Sequence, residues 1–221
     1  MMLKPLSTQI RSDKLEPWQA SPRADLPPDV GGLIFDCDGT IVDTMPVHFH
    51  AWQEALASHG IGFDEEHFYK LAGMPTPKIA NMLAVEHGKP DAGADIAHRK
   101  EEAYLRRLDE IQIIEPVVEL VRRYHKQRPL AVASGGLRRV VSAQLKAAGL
   151  EHYFPVVVCA DDVEHGKPAP DTFLLAARRM GIEPGRCVVY EDGVLGFQAA
   201  AAAGMRCVDV RPWYFTPGRR G

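Results

Sequence analysis

The sequence predicts an α/β fold in which a parallel sheet, covered by helices on both faces, carries a separate helical insert. Five short apolar runs have the length of strands: GLIF (32–35), LAVA (130–133), VVVC (156–159), CVVY (187–190) and CVDV (207–210). Helical patterns separate most of these runs, and continuous apolar strands that alternate with helices are typical of parallel sheets buried on both faces. The insert is predicted because residues 36–129, between the first and second runs, are far too many for one crossover connection.

The helices between the later strands have recognisable ends. The segment EPVVELVRRYHKQ carries Pro116 in its first turn, PDTFLLAARRMG stops at Gly181, and VLGFQAAAAAG stops at Gly204. Proline near the start and glycine past the end is the expected asymmetry of α-helices. These segments are therefore predicted to cross between the strands of the sheet.

The long gap after the first strand is itself helical. Four segments in it have helical patterns: MPVHFHAWQEALASHG (45–60), DEEHFYKLAG (64–73), TPKIANMLAVEHG (76–88) and DIAHRKEEAYLRRLDE (95–110). The third is predicted to have Thr76 as its N-cap and Pro77 in its first turn. The resulting division is an N-terminal extension (1–29), a Rossmann-like core (30–44 and 116–221) and a small helical cap (45–115).

Composition and charge are those of an ordinary globular protein, with 46% hydrophobic residues, 25% charged residues and a net charge of −3. This charge provides no general attraction to nucleic acid or to an anionic membrane. No apolar stretch approaches the roughly 20 residues that a membrane-spanning helix needs, and the N-terminus lacks the apolar core of a signal peptide. We predict a cytoplasmic protein without nucleic-acid or membrane partners, and we expect a monomer.

The four cysteines are predicted to be buried, reduced thiols. Each lies in or beside an apolar run, and none forms a C-x-x-C pair. A disulfide framework or a zinc site is therefore not expected. The residues are Cys37, Cys159, Cys187 and Cys207.

Polar residues follow the strands at their carboxyl ends, where open parallel sheets bind their ligands. These residues are Asp36, Asp38, Gly39 and Thr40 after the first strand, Ser134 and Gly135 after the second, Lys167 after the third, and Glu191 and Asp192 after the fourth. One crevice is thus predicted to contain four carboxylates, a hydroxyl, a lysine and backbone amides. We expect Gly39, Thr40 and Gly135 to contact the substrate.

Four clustered carboxylates without arginine partners repel one another, and protonation or a cation must relieve that repulsion. Mg²⁺ suits such a site, because it prefers oxygen ligands and is usually held by carboxylates together with a substrate phosphate. With the cation bound, Asp36 can stay ionised and attack phosphorus. Asp38 can exchange a proton with the leaving oxygen, while Lys167 and Ser134 neutralise charge on the phosphoryl group.

The segments DCDGTIVDT, KPAPD and EDG, with the serine after the second strand and in this order, resemble the haloacid-dehalogenase superfamily of phosphotransferases. The resemblance implies Asp36 as nucleophile and Asp38 as general acid and base. It implies Mg²⁺ held by Asp36, the Asp38 backbone carbonyl and Asp192, with Glu191 close by. An aspartate at position 38 is typical of phosphatases and mutases rather than dehalogenases, because the leaving alkoxide needs a proton. Ser134 and Lys167 would bind the phosphoryl oxygens.

The insert resembles the cap of the beta-phosphoglucomutase-like subgroup. His48, Trp52 and Lys100 stand at matching positions, and YKLAGMPT, with Gly73, matches the cap loop that meets the ligand. Thr76 stands where the mutases carry an arginine that grips a second phosphate, and lysine or a hydroxyl does not replace a bidentate guanidinium in kind. The segments GMPTPKIA and KPAPDTFLLAARRMG look more like the related bacterial fructose-1-phosphate phosphatases.

Three functions follow as hypotheses. The first is a Mg²⁺-dependent phosphatase of small phosphorylated sugars, with His48, Trp52, Gly73, Thr76 and Lys100 facing the substrate. The second is a beta-phosphoglucomutase that interconverts glucose 1-phosphate and glucose 6-phosphate, and the third is a catalytically silent protein that binds a phosphorylated ligand. Taken alone, several residues also have structural interpretations: Trp52 as packing, His48 as a buried cap histidine, Thr76 as a helix cap and Lys167 as a solvent-exposed loop lysine.

Overall fold

The computed structural model describes residues 21–71 and 74–214 of the chain. Its strands are β1 (Gly32–Phe35), β2 (Val42–Asp43), β3 (Gln112–Ile113), β4 (Leu130–Ala133), β5 (Val156–Val158), β6 (Cys187–Glu191) and β7 (Arg206–Asp209). Five of them form a parallel sheet in the order β5, β4, β1, β6, β7. The predicted parallel α/β sheet is confirmed, and each apolar run contributes one strand.

Four helices cover the two faces of this sheet: α5 (Glu115–Tyr124), α6 (Arg138–Ala147), α7 (Asp171–Met180) and α8 (Val194–Ala202). Successive side chains of a strand point to opposite faces. On β1, Leu33 and Phe35 accordingly pack with the apolar faces of α5 and α6. Ile34, between them, packs with α7 and α8. Both faces of the sheet are therefore buried, which explains why its strands are continuous apolar runs.

The segment between β2 and β3 forms four helices: α1 (Met45–Ala57), α2 (Glu65–Lys70), α3 (Thr76–Glu86) and α4 (Gly93–Arg106). They share an apolar cluster that includes Leu56, Phe68, Leu83 and Ile96. This helical group is called the cap below, and the rest of the described chain the core. None of the helices within the described ranges is long and apolar enough to cross a membrane. The domain boundaries given above stay a prediction.

A two-stranded antiparallel ribbon lies where the chain enters and leaves the cap. Val42 pairs with Ile113 and Asp43 with Gln112. The sequence did not predict this ribbon, because strands of two residues are too short to show a period. The ribbon holds the segment that enters the cap beside the segment that leaves it.

The predicted extension lies partly outside the described residues, which begin at residue 21. In the described part, Leu26 packs against the core, and its backbone N–H donates to Tyr124 Oη over 3.2 Å. All four cysteines carry free thiols, three of them buried and Cys207 half-buried. The predicted burial is found for three of the four, and their reduced state stays a prediction.

Candidate active site

The turn after β1 brings the first acids to the carboxyl edge of the sheet. Asp36 directly follows β1 and is 7% exposed, and its N–H donates to the Tyr190 carbonyl of β6. Gly39 has a φ of +80°, which favours glycine. A Cβ at this position would also collide with the Asp192 carboxylate. Glycine at 39 therefore lets the turn close over Asp192.

Asp36, Glu191 and Asp192 form one acidic cluster. One carboxylate oxygen from each lies within 4.8 Å of the others. The parallel pairing of β1 with β6 causes this, because Phe35 pairs with Tyr190 and the next residue of each strand is an acid. Thr40 Oγ1 donates to Asp192 Oδ1 over 3.1 Å, and Glu191 Oε2 accepts the Asp192 N–H over 2.7 Å. Oxygen donors held this way are the ligands that a hard divalent cation prefers.

Lys167 reaches into this acidic cluster from the loop before α7. Its Nζ lies 2.6 Å from Asp36 Oδ1 and 2.8 Å from Glu191 Oε1, and its side chain is 9% exposed. The interpretation of Lys167 as a solvent-exposed lysine is therefore wrong. Its ammonium supplies one positive charge to three carboxylates, so excess negative charge remains.

The pKa values of the cluster reflect this imbalance. Burial raises the pKa of Asp36 well above its ordinary value, Lys167 opposes the rise, and repulsion from Glu191 and Asp192 adds to it. Burial and Glu191 raise the pKa of Asp192 to about 7. For Lys167, burial lowers the pKa, but Asp36 and Glu191 outweigh it and hold the value above the usual range. At neutral pH Asp36 and Asp192 therefore tend to take up protons unless a further cation neutralises them.

Asp38 does not join the acidic cluster with its carboxylate. Its Oδ1 accepts a 2.7 Å hydrogen bond from Gln144 Nε2, and His48 Nε2 of the cap lies 4.0 Å from the same oxygen. The predicted crevice of four carboxylates is thus divided, with three in the acidic cluster and that of Asp38 at the boundary with the cap. Burial raises the pKa of Asp38, and hydrogen bonding to Thr44 and Gln144 together with the charge of Lys100 lowers it.

Ser134 and Gly135 lie at the end of β4, next to Asp38. Ser134 is 1% exposed, and its Oγ accepts the Gly136 N–H over 3.0 Å. A Cβ built on Gly136 would lie 3.3 Å from Ser134 Oγ and 3.8 Å from Asp38 Oδ2, so both oxygens border the same small space. A Cβ on Gly135 would meet open space within 4 Å. Gly135 therefore faces open space, and contact of this edge with a phosphoryl group stays a prediction.

The backbone amides of Gly39 and Thr40 donate within the turn itself. The Gly39 N–H bonds the Val42 carbonyl at 2.8 Å, and the Thr40 N–H bonds the Cys37 carbonyl at 3.3 Å. The Thr40 hydroxyl is directed to Asp192. Both residues thus support the turn and the acidic cluster in this structure, and direct contact with substrate stays a prediction for each.

The cap contributes His48 and Lys100 on the side facing Asp38. The His48 ring stacks on Tyr104, with centroids 4.1 Å apart and 14° between planes. Lys100 is 3% exposed, and its Nζ lies 5.8 Å from the centre of the Trp52 ring. Trp52 is itself 2% exposed and packs in the cap cluster, so its packing interpretation fits the structure. Gly73 lies outside the described residues.

Thr76 is not the N-cap of α3, contrary to the prediction. Pro75 holds the N-cap position, and Thr76 is the first helical residue. Its Oγ1 donates instead to Glu101 Oε1 over 3.1 Å, and Lys100 Nζ donates to the same carboxylate oxygen over 3.0 Å. The Thr76 hydroxyl therefore belongs to a polar group with Lys100 and Glu101.

Sequence reasoning missed Gln144 and Tyr104. Gln144 is fully buried on α6 and bonds both Asp38 and Tyr104 Oη. A signal was present, since Gln144 occupies the apolar stripe of α6 with Val141 and Leu145, where a polar side chain needs a buried partner. The partner itself could not be identified without the fold.

Known proteins with similar sequences and structures identify the family of this chain. The family of haloacid dehalogenase-like hydrolases matches residues 30–204. Fructose-1-phosphate phosphatase YqaB of Escherichia coli is 46% identical over 81% of this chain and 96% of its own length. A phosphorylated carbohydrates phosphatase of Thermotoga maritima is 30% identical over 78% of this chain and 81% of its own. The crystal structure of CbbY from Rhodobacter sphaeroides in complex with phosphate has a TM-score of 0.69 at 30% identity, covering 80% of this chain and 84% of that one.

Proposed function

The chain belongs to the haloacid dehalogenase-like hydrolases and is a phosphatase, and we propose that its substrates are small sugar monophosphates, with fructose 1-phosphate as the first candidate. The observation that carries this proposal is the convergence of Asp36, Lys167 and two further acids at one sheet edge, with Asp38 beside them. The preference for fructose 1-phosphate rests on the 46% identity to YqaB. A cytoplasmic location and a monomeric state stay predictions.

We assign the nucleophile to Asp36. Lys167 bonds its Oδ1, so we assign the attack on phosphorus to Oδ2. A bond forms between this oxygen and phosphorus while the bond from phosphorus to the sugar oxygen breaks, and Asp38 donates a proton to the leaving oxygen. Asp38 then takes a proton from water, which attacks phosphorus, and inorganic phosphate and free Asp36 are released.

The donor set fits Mg²⁺. Asp36, Glu191 and Asp192 offer carboxylate oxygens within 4.8 Å of one another, and the Asp38 backbone carbonyl would be a further ligand. When bound, the ion supplies positive charge to the acids and to the phosphoryl oxygens. Around the phosphoryl group, Lys167, the Ser134 hydroxyl and the Gly135 amide would neutralise the remaining charge.

The cap favours a substrate with a single phosphate. Lys100 already bonds Glu101, which leaves its positive charge largely compensated. A second phosphate approaching Lys100 would also meet the Glu101 carboxylate, and the Thr76 hydroxyl offers it no charge. A mutase has to hold a bisphosphate in two orientations, so this polar group supports hydrolysis over mutase activity.

The proposal is tested with a panel of sugar phosphates in the presence of Mg²⁺, assayed for both free phosphate and isomerised product. We expect phosphate release, with fructose 1-phosphate giving the highest kcat/KM of the panel. From beta-glucose 1-phosphate we expect phosphate to appear faster than glucose 6-phosphate. The reverse order would identify a mutase, and absence of phosphate from every substrate would identify a silent binding protein.

Binding of Mg²⁺ should stabilise the fold more at high pH than at low pH. Asp36 and Asp192 have folded-state pKa values above their unfolded values, so the metal-free folded protein binds extra protons and loses stability as the pH rises above about 4. For Asp192 this loss extends to about pH 7. The cation takes the place of these protons. We expect a rise in Tm of about 5 to 10 °C at about pH 8 with Mg²⁺ at about 100 times Kd, and a smaller rise at about pH 5.

The measurement is thermal unfolding with EDTA or with MgCl₂ at the two pH values. KCl at matched ionic strength controls for screening, and Asp192→Asn should remove most of the Mg²⁺ effect because it replaces one proposed ligand. An equal rise in Tm at both pH values, or an equal rise with KCl, would contradict a metal site at this cluster.

A further inference from the structure

Gln144 is a buried polar residue that the reaction described above does not use. It lies on α6 of the core, is fully buried, and all three of its side-chain bonds go to other side chains. Its Nε2 donates to Asp38 Oδ1 over 2.7 Å and to Tyr104 Oη over 2.6 Å, and its Oε1 accepts from the Cys37 thiol over 3.4 Å. A polar side chain is costly to bury, and these bonds explain why this one is tolerated.

The chemistry of the partners fixes the orientation of the Gln144 amide. An ionised carboxylate only accepts hydrogen bonds, so the NH₂ group has to face Asp38. A thiol donates, so the amide oxygen faces Cys37. The opposite orientation would place the amide oxygen against a carboxylate oxygen. Asp38 Oδ1 is therefore held by Gln144, and the other oxygen, Oδ2, borders the space next to Ser134 and Gly136.

The second hydrogen of the same NH₂ group connects the core to the cap. Tyr104 lies on α4 of the cap, is fully buried and stacks on His48. The chain of contacts Tyr104, Gln144, Asp38 therefore runs from a cap helix through a core helix to the proposed acid and base. A displacement of α4 moves the Tyr104 hydroxyl and alters the geometry of the amide that holds Asp38.

We propose that Gln144 is a positioning residue that orients Asp38 for proton transfer and makes this orientation depend on the place of Tyr104 in the cap. This inference rests on the proposed phosphatase function. Gln144 holds Oδ1 so that the proton is carried on Oδ2, the oxygen directed to the cleft. The Tyr104 hydroxyl acts through Gln144, the residue it bonds.

The leaving group provides the test. A sugar alkoxide is a poor leaving group and needs the proton from Asp38, whereas p-nitrophenolate leaves without one. For Gln144→Met, which keeps the length of the side chain without its hydrogen bonds, we expect kcat/KM for fructose 1-phosphate to fall about 10- to 100-fold, as for a misplaced catalytic group. For p-nitrophenyl phosphate we expect kcat/KM to stay within about threefold of the wild-type value.

Tyr104→Phe keeps the ring stacking and removes only the hydroxyl. We expect a smaller loss with the same dependence on the leaving group, about fivefold for fructose 1-phosphate. The kcat/KM of the double variant should be no lower than that of Gln144→Met alone, because the effects of two substitutions that break the same chain of contacts are not additive. Ser142→Ala, on the same helix, is the control and should retain wild-type kinetics.

Each outcome decides between the alternatives. Equal losses for both substrates in Gln144→Met, or no loss for either, would overturn the positioning role and leave Gln144 as a packing residue. Additive losses in the double variant would overturn the connection through Tyr104. Wild-type protein that hydrolyses neither substrate would refute the proposed function itself, which the variants alone cannot do.

Discussion

Asp36→Asn should abolish turnover of every phosphate ester while the protein stays folded. The amide cannot form the bond to phosphorus, so we expect kcat to fall by about 10⁴-fold or more, as for the loss of other covalent nucleophiles. The fold should tolerate the change, because the neutral amide loses the ionic attraction to Lys167 but also the repulsion from Glu191 and Asp192, and its oxygen can still accept a hydrogen bond from Lys167. The measurement is steady-state kinetics together with Tm, which we expect to change by less than about 5 °C.

Asp209→Asn is the matched control for Asp36→Asn. Asp209 also ends a strand at the carboxyl edge of the sheet, next to Glu191 on β6, but it is paired with Arg211 outside the acidic cluster. We expect its kcat to stay within about threefold of the wild-type value. Retained turnover in Asp36→Asn would exclude the proposed covalent mechanism.

Lys167→Met should damage both activity and stability. It removes the only side-chain cation that the described residues place within 4 Å of Asp36 or Glu191, and both of these carboxylates are buried. Removing one partner of a buried ion pair costs about 3 to 5 kcal/mol of unfolding free energy. Loss of a cation that neutralises the phosphoryl group should also lower kcat by about 10³-fold.

The stability loss in Lys167→Met should depend on pH. Lys167 opposes the rise in the pKa of Asp36, so without the lysine the folded-state pKa of this buried acid rises further. The cost of keeping Asp36 ionised in the folded protein is therefore absent below its unfolded pKa of about 4 and grows as the pH rises. The difference in Tm from wild type should therefore be larger at about pH 8 than at about pH 5. Lys167→Arg keeps the charge and should retain more of the stability than Lys167→Met. Wild-type Tm and kcat in Lys167→Met would show that the lysine contributes nothing to the site.

The sheet could be predicted from the sequence because the apolar pattern of each strand matches its burial on both faces of the sheet. The run at Gly32–Phe35 is apolar at every position since both faces of the sheet are covered, and the later strands repeat this pattern. The β2–β3 ribbon could not be predicted, because its two-residue strands have no period and their pairing depends on chain segments far apart. The long gap indicated an insert but not how its two ends are joined.

The acids could be located from the sequence, but their grouping could not. Strand order decides which strand ends are neighbours, and β1 lies between β4 and β6. This order places Asp36 beside Glu191, whereas the Asp38 carboxylate turns toward the cap and Gln144. The burial of Lys167 was equally hidden, since a lysine before a proline has the same local sequence whether it is exposed or enclosed.

The cap residues were the least predictable part of the site. Thr76 is of a residue type that favours the N-cap position, yet Pro75 is the N-cap of α3 and the Thr76 hydroxyl bonds Glu101. Gln144 illustrates the converse case. Its position on the apolar stripe of α6 indicated a buried polar side chain that needs a partner. Its partners Asp38 and Tyr104 come from distant parts of the chain, so the sequence could not identify them.

The covalent role of Asp36 is tested most directly by trapping the intermediate. Wild-type protein with Mg²⁺ is mixed with fructose 1-phosphate, quenched with acid during turnover, digested and examined by mass spectrometry. We predict that the peptide containing Asp36 gains the mass of one phosphoryl group and that fragmentation assigns it to this residue, with none found in Asp36→Asn. Release of phosphate with the phosphoryl group on another residue, or on no residue at any quench time, would contradict a nucleophilic Asp36.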